Sequence, residues 1–212
     1  MCFKDLTYIV LCGGKSTRMG EDKGSMTISD KPMIIHVLDS LNHLINEAII
    51  VLNDEERIVK YQKIIKPEKY TYKIRYTTDE IPEKGPLSGI MTGLNHTNTK
   101  YAQILPCDSP YITQNFIKNM QKLLKQKKPT DAIIPYYTKN KIEPLHGIYQ
   151  KKDTNTIKKL IKENKLSMKE YIKLIKPYYI HIDNIKLEEI NFNNLNTKED
   201  IKKYKKIGEK SH

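Results

Sequence analysis

The chain has 212 residues, with 37 Lys or Arg against 25 Asp or Glu, a formal charge of +12 at pH 7. Apolar residues make up 38%, enough for one substantial core, and no apolar run approaches the roughly 20 residues of a membrane-spanning helix. Three cysteines (Cys2, Cys12, Cys107) in no metal-like spacing argue against a disulfide framework, and the short apolar stretch before Gly13 is no secretory leader, so a soluble cytoplasmic protein is expected.

Thr7–Leu11 reads as a buried strand that runs into a Gly-Gly turn. Pro32 opens a helix to about Leu44, with Ile34, Ile35, Leu38 and Leu41 on one face. Ala48–Leu52 is a second strand, and Glu55–Ile65 a helix. Tyr72–Thr77 is a third strand, joined by the loop Thr78–Gly85 to a helix from Pro86 to about His96. Tyr101–Pro106 is a fourth strand. Thr113 caps a helix to about Lys127, and Asp131–Tyr136 is a fifth strand. Two Lys-rich helices follow, about Asp153–Glu163 and Ser167–Ile175, then a strand at Tyr178–Ile182. A closing helix starts at Thr197, with Asn196 as a good N-cap and Glu199 and Asp200 in the first turn.

This alternation predicts a three-layer α/β/α fold around a mostly parallel sheet. Ligands of such sheets sit outside the carboxyl ends of the strands, so the loops after Leu11, Leu52, Thr77 and Pro106 are expected on one rim. Residues 1–204 read as a single domain with a nucleotide-binding part (about 1–110) and an acceptor-binding part (about 111–204); 205–212 is a basic, frayed tail.

The net charge alone points vaguely at nucleic acid or a membrane face. Only three of the basic residues are Arg, however (Arg18, Arg57, Arg75), and Arg is the residue that reads phosphates and bases in bidentate fashion. Residues 151–212 carry 16 basic and 9 acidic groups against 21 and 16 in residues 1–150, so the excess sits largely in the last third. A local arrangement says more. Leu11–Gly24, LCGGKSTRMGEDKG, sets two glycines and the cations Lys15, Arg18 and Lys23 at the end of the first strand. Glycines let the backbone approach a ligand and aim N–H groups at it, and three nearby cations suit a polyphosphate. The spacing is neither a Walker A loop nor GxGxxG. Asp79 and Asp108 follow the third and fourth strands. Each carboxylate also has an ordinary reading, as a turn or capping group. Asp108, just past a buried strand and opposite the three cations, stands where a Mg²⁺ would sit.

The first loop resembles the signature LAGGxSxRMGxDK of nucleotidyltransferases with a GT-A-like, Rossmann-like fold, with Cys12 in place of the usual Ala. Asp79 with Gly85-Pro86-Leu87-Ser88-Gly89 resembles that group's D…GPLaGi element, and Pro106-Cys107-Asp108-Ser109-Pro110 its metal-holding CDxP element. Glu143–Tyr149 is similar to a hP-hxALy return strand. Phe192–Thr197 is similar to NvNTP, with Lys198 in place of the Pro. Together these most resemble the molybdenum cofactor guanylyltransferases.

The resemblance implies transfer of GMP from GTP to molybdopterin with Mg²⁺ as cofactor. It implies nucleotide contacts from Leu11, Cys12, Gly13, Gly14, Lys23, Asn53, Asp79 and Asp108. Arg18, Lys23 and Asp108 would be catalytic, with Asp108 as the metal ligand; Lys15 is a weaker phosphate contact. Pro144, Asn194 and Asn196 would meet the acceptor, Asn196 being equally an N-cap. His146 is expected to be packed or exposed, and Cys107 a buried neighbour. Expected partners are GTP, molybdopterin and the proteins of cofactor synthesis and acceptance, with no nucleic acid or membrane, for a monomeric chain. The alternatives are another nucleotidyltransferase, using CTP with molybdopterin or a sugar phosphate, and a non-enzymatic basic module that binds nucleic acid.

Overall fold

The computed structural model describes residues 5–13, 22–127, 129–138 and 140–185. Its strands are β1 (Leu6–Leu11), β2 (Thr27–Ile28), β3 (Lys31–Pro32), β4 (Glu47–Leu52), β5 (Lys73–Thr78), β6 (Tyr101–Pro106), β7 (Ala132–Thr138), β8 (Lys141–Ile142), β9 (Ile148–Gln150) and β10 (Pro177–His181). The α-helices are α1 (Met33–Leu41), α2 (Glu55–Ile64), α3 (Pro86–His96), α4 (Gln114–Lys127), α5 (Thr154–Lys162) and α6 (Met168–Lys173).

The main sheet runs β10-β7-β9-β6-β1-β4-β5, with β8 paired to β7. β1 pairs in parallel with both β4 and β6, while β9 runs antiparallel between β6 and β7. β1 and β6 are buried along their whole length, which explains why they read as continuous apolar runs rather than alternating ones. One face is covered by α1, α2 and α4 through Ile34, Leu38, Tyr61, Phe116 and Met120. The other is covered by α3, α5 and α6 through Leu87, Ile90, Ile157 and Tyr171. The three-layer, mostly parallel expectation holds. The antiparallel β9 is the return strand that the Glu143–Tyr149 motif implied.

Two local details differ from the sequence reading. α1 stops at Leu41 rather than Leu44. The Asn42 side chain accepts from the backbone N–H and hydroxyl of Thr71, and His43 takes φ +64°, so a side-chain bond wins over another helical turn. The hairpin β2–β3 was not foreseen. Its two-residue turn, Ser29-Asp30, has φ of +45° and +66°, a conformation that Asp tolerates better than most residues. The closing helix expected from Thr197 and the tail at 205–212 lie outside the described residues.

Candidate active site

β1, β4, β5 and β6 end on the same side, and their last residues and following loops enclose a cavity of about 500 Å³. Leu11, Cys12 and Gly13 form one wall. Leu52 and Asn53 continue it, followed by Asp79, the turn at Gly85-Pro86, and Pro106 to Asp108. The backbone ties these loops together: Cys12 N–H donates to Val51 O, Cys107 N–H to Leu11 O, and Asp79 N–H to Leu52 O. The single rim expected from the alternation is therefore present. Gly13 sits against Asn53: a Cβ at Gly13 would lie 2.6 Å from Asn53 Oδ1, so a larger residue there would displace the Asn53 side chain from its place on the wall.

Lys23 opens a 3₁₀ turn, Lys23–Ser25, and its ammonium donates to Asp108 Oδ2 at 3.1 Å. The side chains are 26% and 14% exposed, so the pair is partly shielded yet open to the cavity. Of the cations expected here only Lys23 can be placed. Gly14, Lys15 and Arg18 lie outside the described residues, as do Asn194 and Asn196. Pro144 starts a 3₁₀ turn and accepts from the Tyr149 hydroxyl at 2.7 Å, and its neighbour Leu145 lines the cavity.

Asp79 takes the ordinary turn role and also lines the cavity. Its Oδ1 accepts from the Ser88 and Thr92 hydroxyls on α3 and from Ile81 N–H, which locks the loop to the helix. All three of these bonds fall on Oδ1. Asp22 is a second anchored carboxylate. Tyr61 donates to its Oδ1 at 2.8 Å and Lys60 to its Oδ2 at 3.4 Å, so α2 holds the foot of the signature loop next to Lys23. Burial, with the nearby Cys12, Cys107 and Asp22, pushes the Tyr61 phenol far above its usual range, so it stays a donor.

Cys12 and Cys107 are both buried and are not joined in a disulfide. Desolvation and the contact with Cys107 push the Cys12 thiol well up, which suits packing and not nucleophilic attack. Behind Asp108, the Ser109 hydroxyl and His146 Nε2 lie 3.1 Å apart in full burial, so the Asp108 turn is backed by the segment that carries Leu145. His146 is thus packed, as expected.

Ser88, Asp22 and Ser109 stood in the sequence only as motif members, without these contacts, and Thr92, Tyr61 and Lys60 received no role. A weak signal existed for Ser88 and Thr92, four residues apart on one helix face. Arg57, one of three arginines, also lines the cavity. Among the described lining residues, four carboxylates (Asp22, Asp79, Glu83, Asp108) face two cations (Lys23, Arg57). The chain's basic excess is not repeated in this lining.

Residues 8–176 match the family model of the MobA-like NTP transferase domain. The chain belongs to this family. It is accordingly a nucleotidyltransferase, which sets aside the non-enzymatic alternative. The chain is 32% identical over 194 residues to a probable molybdenum cofactor guanylyltransferase of Methanothermobacter thermautotrophicus, covering 91% of this chain and 95% of that protein. A protein of the same description from Methanocaldococcus jannaschii is 32% identical over 197 residues, covering 91% and 95%. The solved structure of molybdopterin-guanine dinucleotide biosynthesis protein A from Archaeoglobus fulgidus superposes with a TM-score of 0.78 at 22% identity, covering 96% of this chain and 99% of that one, which establishes the common fold.

Proposed function

We propose that the chain transfers GMP from GTP to molybdopterin, giving molybdopterin guanine dinucleotide and pyrophosphate. The observation that carries this reading is the single cavity that gathers the first-loop backbone, Asn53, Asp79 and the Lys23–Asp108 pair. The names of the relatives support the choice of base and acceptor.

A phosphate oxygen of the acceptor attacks the α-phosphorus, and the bond to the leaving pyrophosphate breaks. The attacking group is already an anion, so the chain must supply position and neutralising charge rather than a strong base. The Leu11–Gly14 backbone cradles the nucleotide, and the polar backbone groups of Leu11 and Cys12 read the guanine edge. Asn53 and Asp79 fix the base or ribose. Lys23 and Arg18 neutralise the phosphates, with Lys15 a weaker contact. Pro144, Asn194 and Asn196 meet the acceptor. Residues 1–204 act as one unit, the nucleotide side in about 1–110 and the acceptor side in about 111–204.

Nucleotidyltransferases of this family typically need a divalent metal. The described lining fits one: Asp108 offers a carboxylate on the cavity wall beside Lys23, where a triphosphate would lie. The described residues contain no cluster of three or more His, Cys, Asp or Glu suited to a metal. Mg²⁺ usually keeps one or two protein carboxylates and takes the rest from phosphates and water, so Asp108 would hold it together with the nucleotide. When bound, it supplies charge neutralisation to the triphosphate.

The decisive experiment incubates the protein with GTP, Mg²⁺ and molybdopterin and detects the guanine dinucleotide. A thermal-shift panel of GTP, CTP, UTP and ATP checks the base. Ligand at 100 times its Kd adds about 2.7 kcal/mol of stability. GTP is expected to stabilise selectively, and selective stabilisation by CTP or UTP overturns the assignment of the base.

A further inference from the structure

A second recess, of about 680 Å³, has no part in the chemistry above. It lies beside β10, the last strand in the sheet order, on the side of α6, and is lined by Tyr136, Tyr179, Asn140, Ile142, Lys169 and Lys173. Tyr136 and Tyr179 meet edge to face with centroids 6.4 Å apart, and Tyr136 packs in the same way on His181 at 5.0 Å. Tyr179 is 43% exposed, one of three large apolar side chains left open among the described residues. Lys169 and Lys173 are one helical turn apart on α6, both exposed, and no described residue that lines the recess is acidic. Aromatic faces take flat rings, lysines take anions, and the Asn140 amide both donates and accepts. An apolar helix would use the tyrosines and leave the lysines idle. A planar heteroaromatic with acceptor atoms around its edge uses all of them.

Position narrows the occupant. Ile142 lines the recess and Leu145 lines the nucleotide cavity. Three residues of chain span at most about 10 Å, so one short segment is the shared wall of both spaces. The two spaces can therefore hold two ends of one reacting pair.

We infer that this recess holds the ring of the acceptor, whose anionic end extends past Leu145 toward Lys23 and Asp108. The inference rests on the proposed transfer to molybdopterin, whose pterin ring offers a flat face to the tyrosines and carbonyl and ring-nitrogen acceptors to Lys169 and Lys173, while its phosphate reaches the nucleotide cavity.

The test uses 6-carboxypterin as a fluorescent probe, which the absence of Trp leaves free of indole background. Saturable quenching is expected for the wild type. Tyr179→Ala and the double variant Lys169→Glu/Lys173→Glu are expected to weaken it at least tenfold. Tyr179→Phe should retain it, and the GTP-induced thermal shift should stay unchanged in every variant. In turnover the weakened variants should raise KM for molybdopterin and leave KM for GTP in place. Wild-type probe affinity in both weakened variants overturns the inference, as does a parallel loss of the GTP shift. If the dinucleotide forms and KM for molybdopterin does not move, the proposed transfer stands and the recess assignment fails. If no dinucleotide forms while probe binding still depends on Tyr179 and the two lysines, the recess assignment stands and the proposed transfer fails.

Discussion

At the scale of single residues, the site separates groups that face the cavity from groups that hold them there. Lys23 and Asp108 neutralise each other at 3.1 Å in the described structure, and in the proposed reaction they would exchange that contact for phosphate and metal. Asp108→Ala is expected to abolish turnover, and Lys23→Ala to cut kcat by about 100-fold, the size seen when one preorganised electrostatic contact is lost. Steady-state rates near wild type in either variant would remove these residues from the chemistry. Asp79 tests the separation directly. Three donors converge on its Oδ1, so Asp79→Asn keeps the acceptor that anchors α3 and removes only the second carboxylate oxygen and the charge. That variant is expected to melt close to the wild type but to bind GTP more weakly. Asp79→Ala should lose both melting temperature and affinity, since it leaves the buried Ser88 and Thr92 hydroxyls without that acceptor. Equal behaviour of the two variants in calorimetry would show that the carboxylate has one role and not two.

At the scale of elements, α3 is pressed unusually close to the sheet. A Cβ on Gly93 would fall 2.5–2.9 Å from three side-chain atoms of Ile9 in the middle of β1, and one on Gly89 3.1 Å from Leu11. This close approach lets the short Ser88 and Thr92 side chains reach Asp79. Gly93→Ala is expected to cost about 1–3 kcal/mol through overpacking, despite the better helix propensity of Ala, and chemical denaturation measures it. A stabilised Gly93→Ala protein would mean that Ile9 moves aside freely. The buried strands and amphipathic helices were legible in the sequence because each carries its own period: β1, β4, β6, α3 and α4 fall within one or two residues of their expected bounds. What could not be read depends on partners distant in the chain. The end of α1 is set by Thr71, 29 residues away, and the foot of the signature loop by Lys60 and Tyr61, 38 and 39 residues from Asp22. The loop residues that line the cavity were visible as motifs. The recess beside Tyr136 and Tyr179 was not, because it is assembled from β7, β8, α6 and β10.

At the scale of the whole molecule, one buried acid links stability to pH. Asp153 leads into α5, is only 5% exposed, and accepts from the Tyr171 hydroxyl of α6 at 3.2 Å. Loss of hydration pushes its carboxyl up to about 6, against the opposing pull of the Tyr171 hydrogen bond. An acid raised in the folded state binds its proton more tightly there than in the unfolded chain. Between about pH 4 and 6 the folded protein therefore holds the extra proton, and the contribution of Asp153 to stability falls as pH rises through that window. Above pH 6 the cost is constant, at most about 3 kcal/mol for a shift of some two units. Nearby Asp131 has the opposite sign: Lys152, the Lys176 backbone N–H and the Lys176 charge draw its carboxyl below the usual range, so its contribution is lost only in stronger acid and leaves this window clear. Asp153→Asn keeps an acceptor for Tyr171 and cannot ionise. The stability of this variant relative to the wild type is expected to climb between pH 4 and 6 and then level off, as followed by urea unfolding at pH 4.5, 6 and 7.5. A difference that stays flat over that range would mean that Asp153 keeps its ordinary acidity, and that the junction of α5 and α6 is hydrated enough to carry a charge.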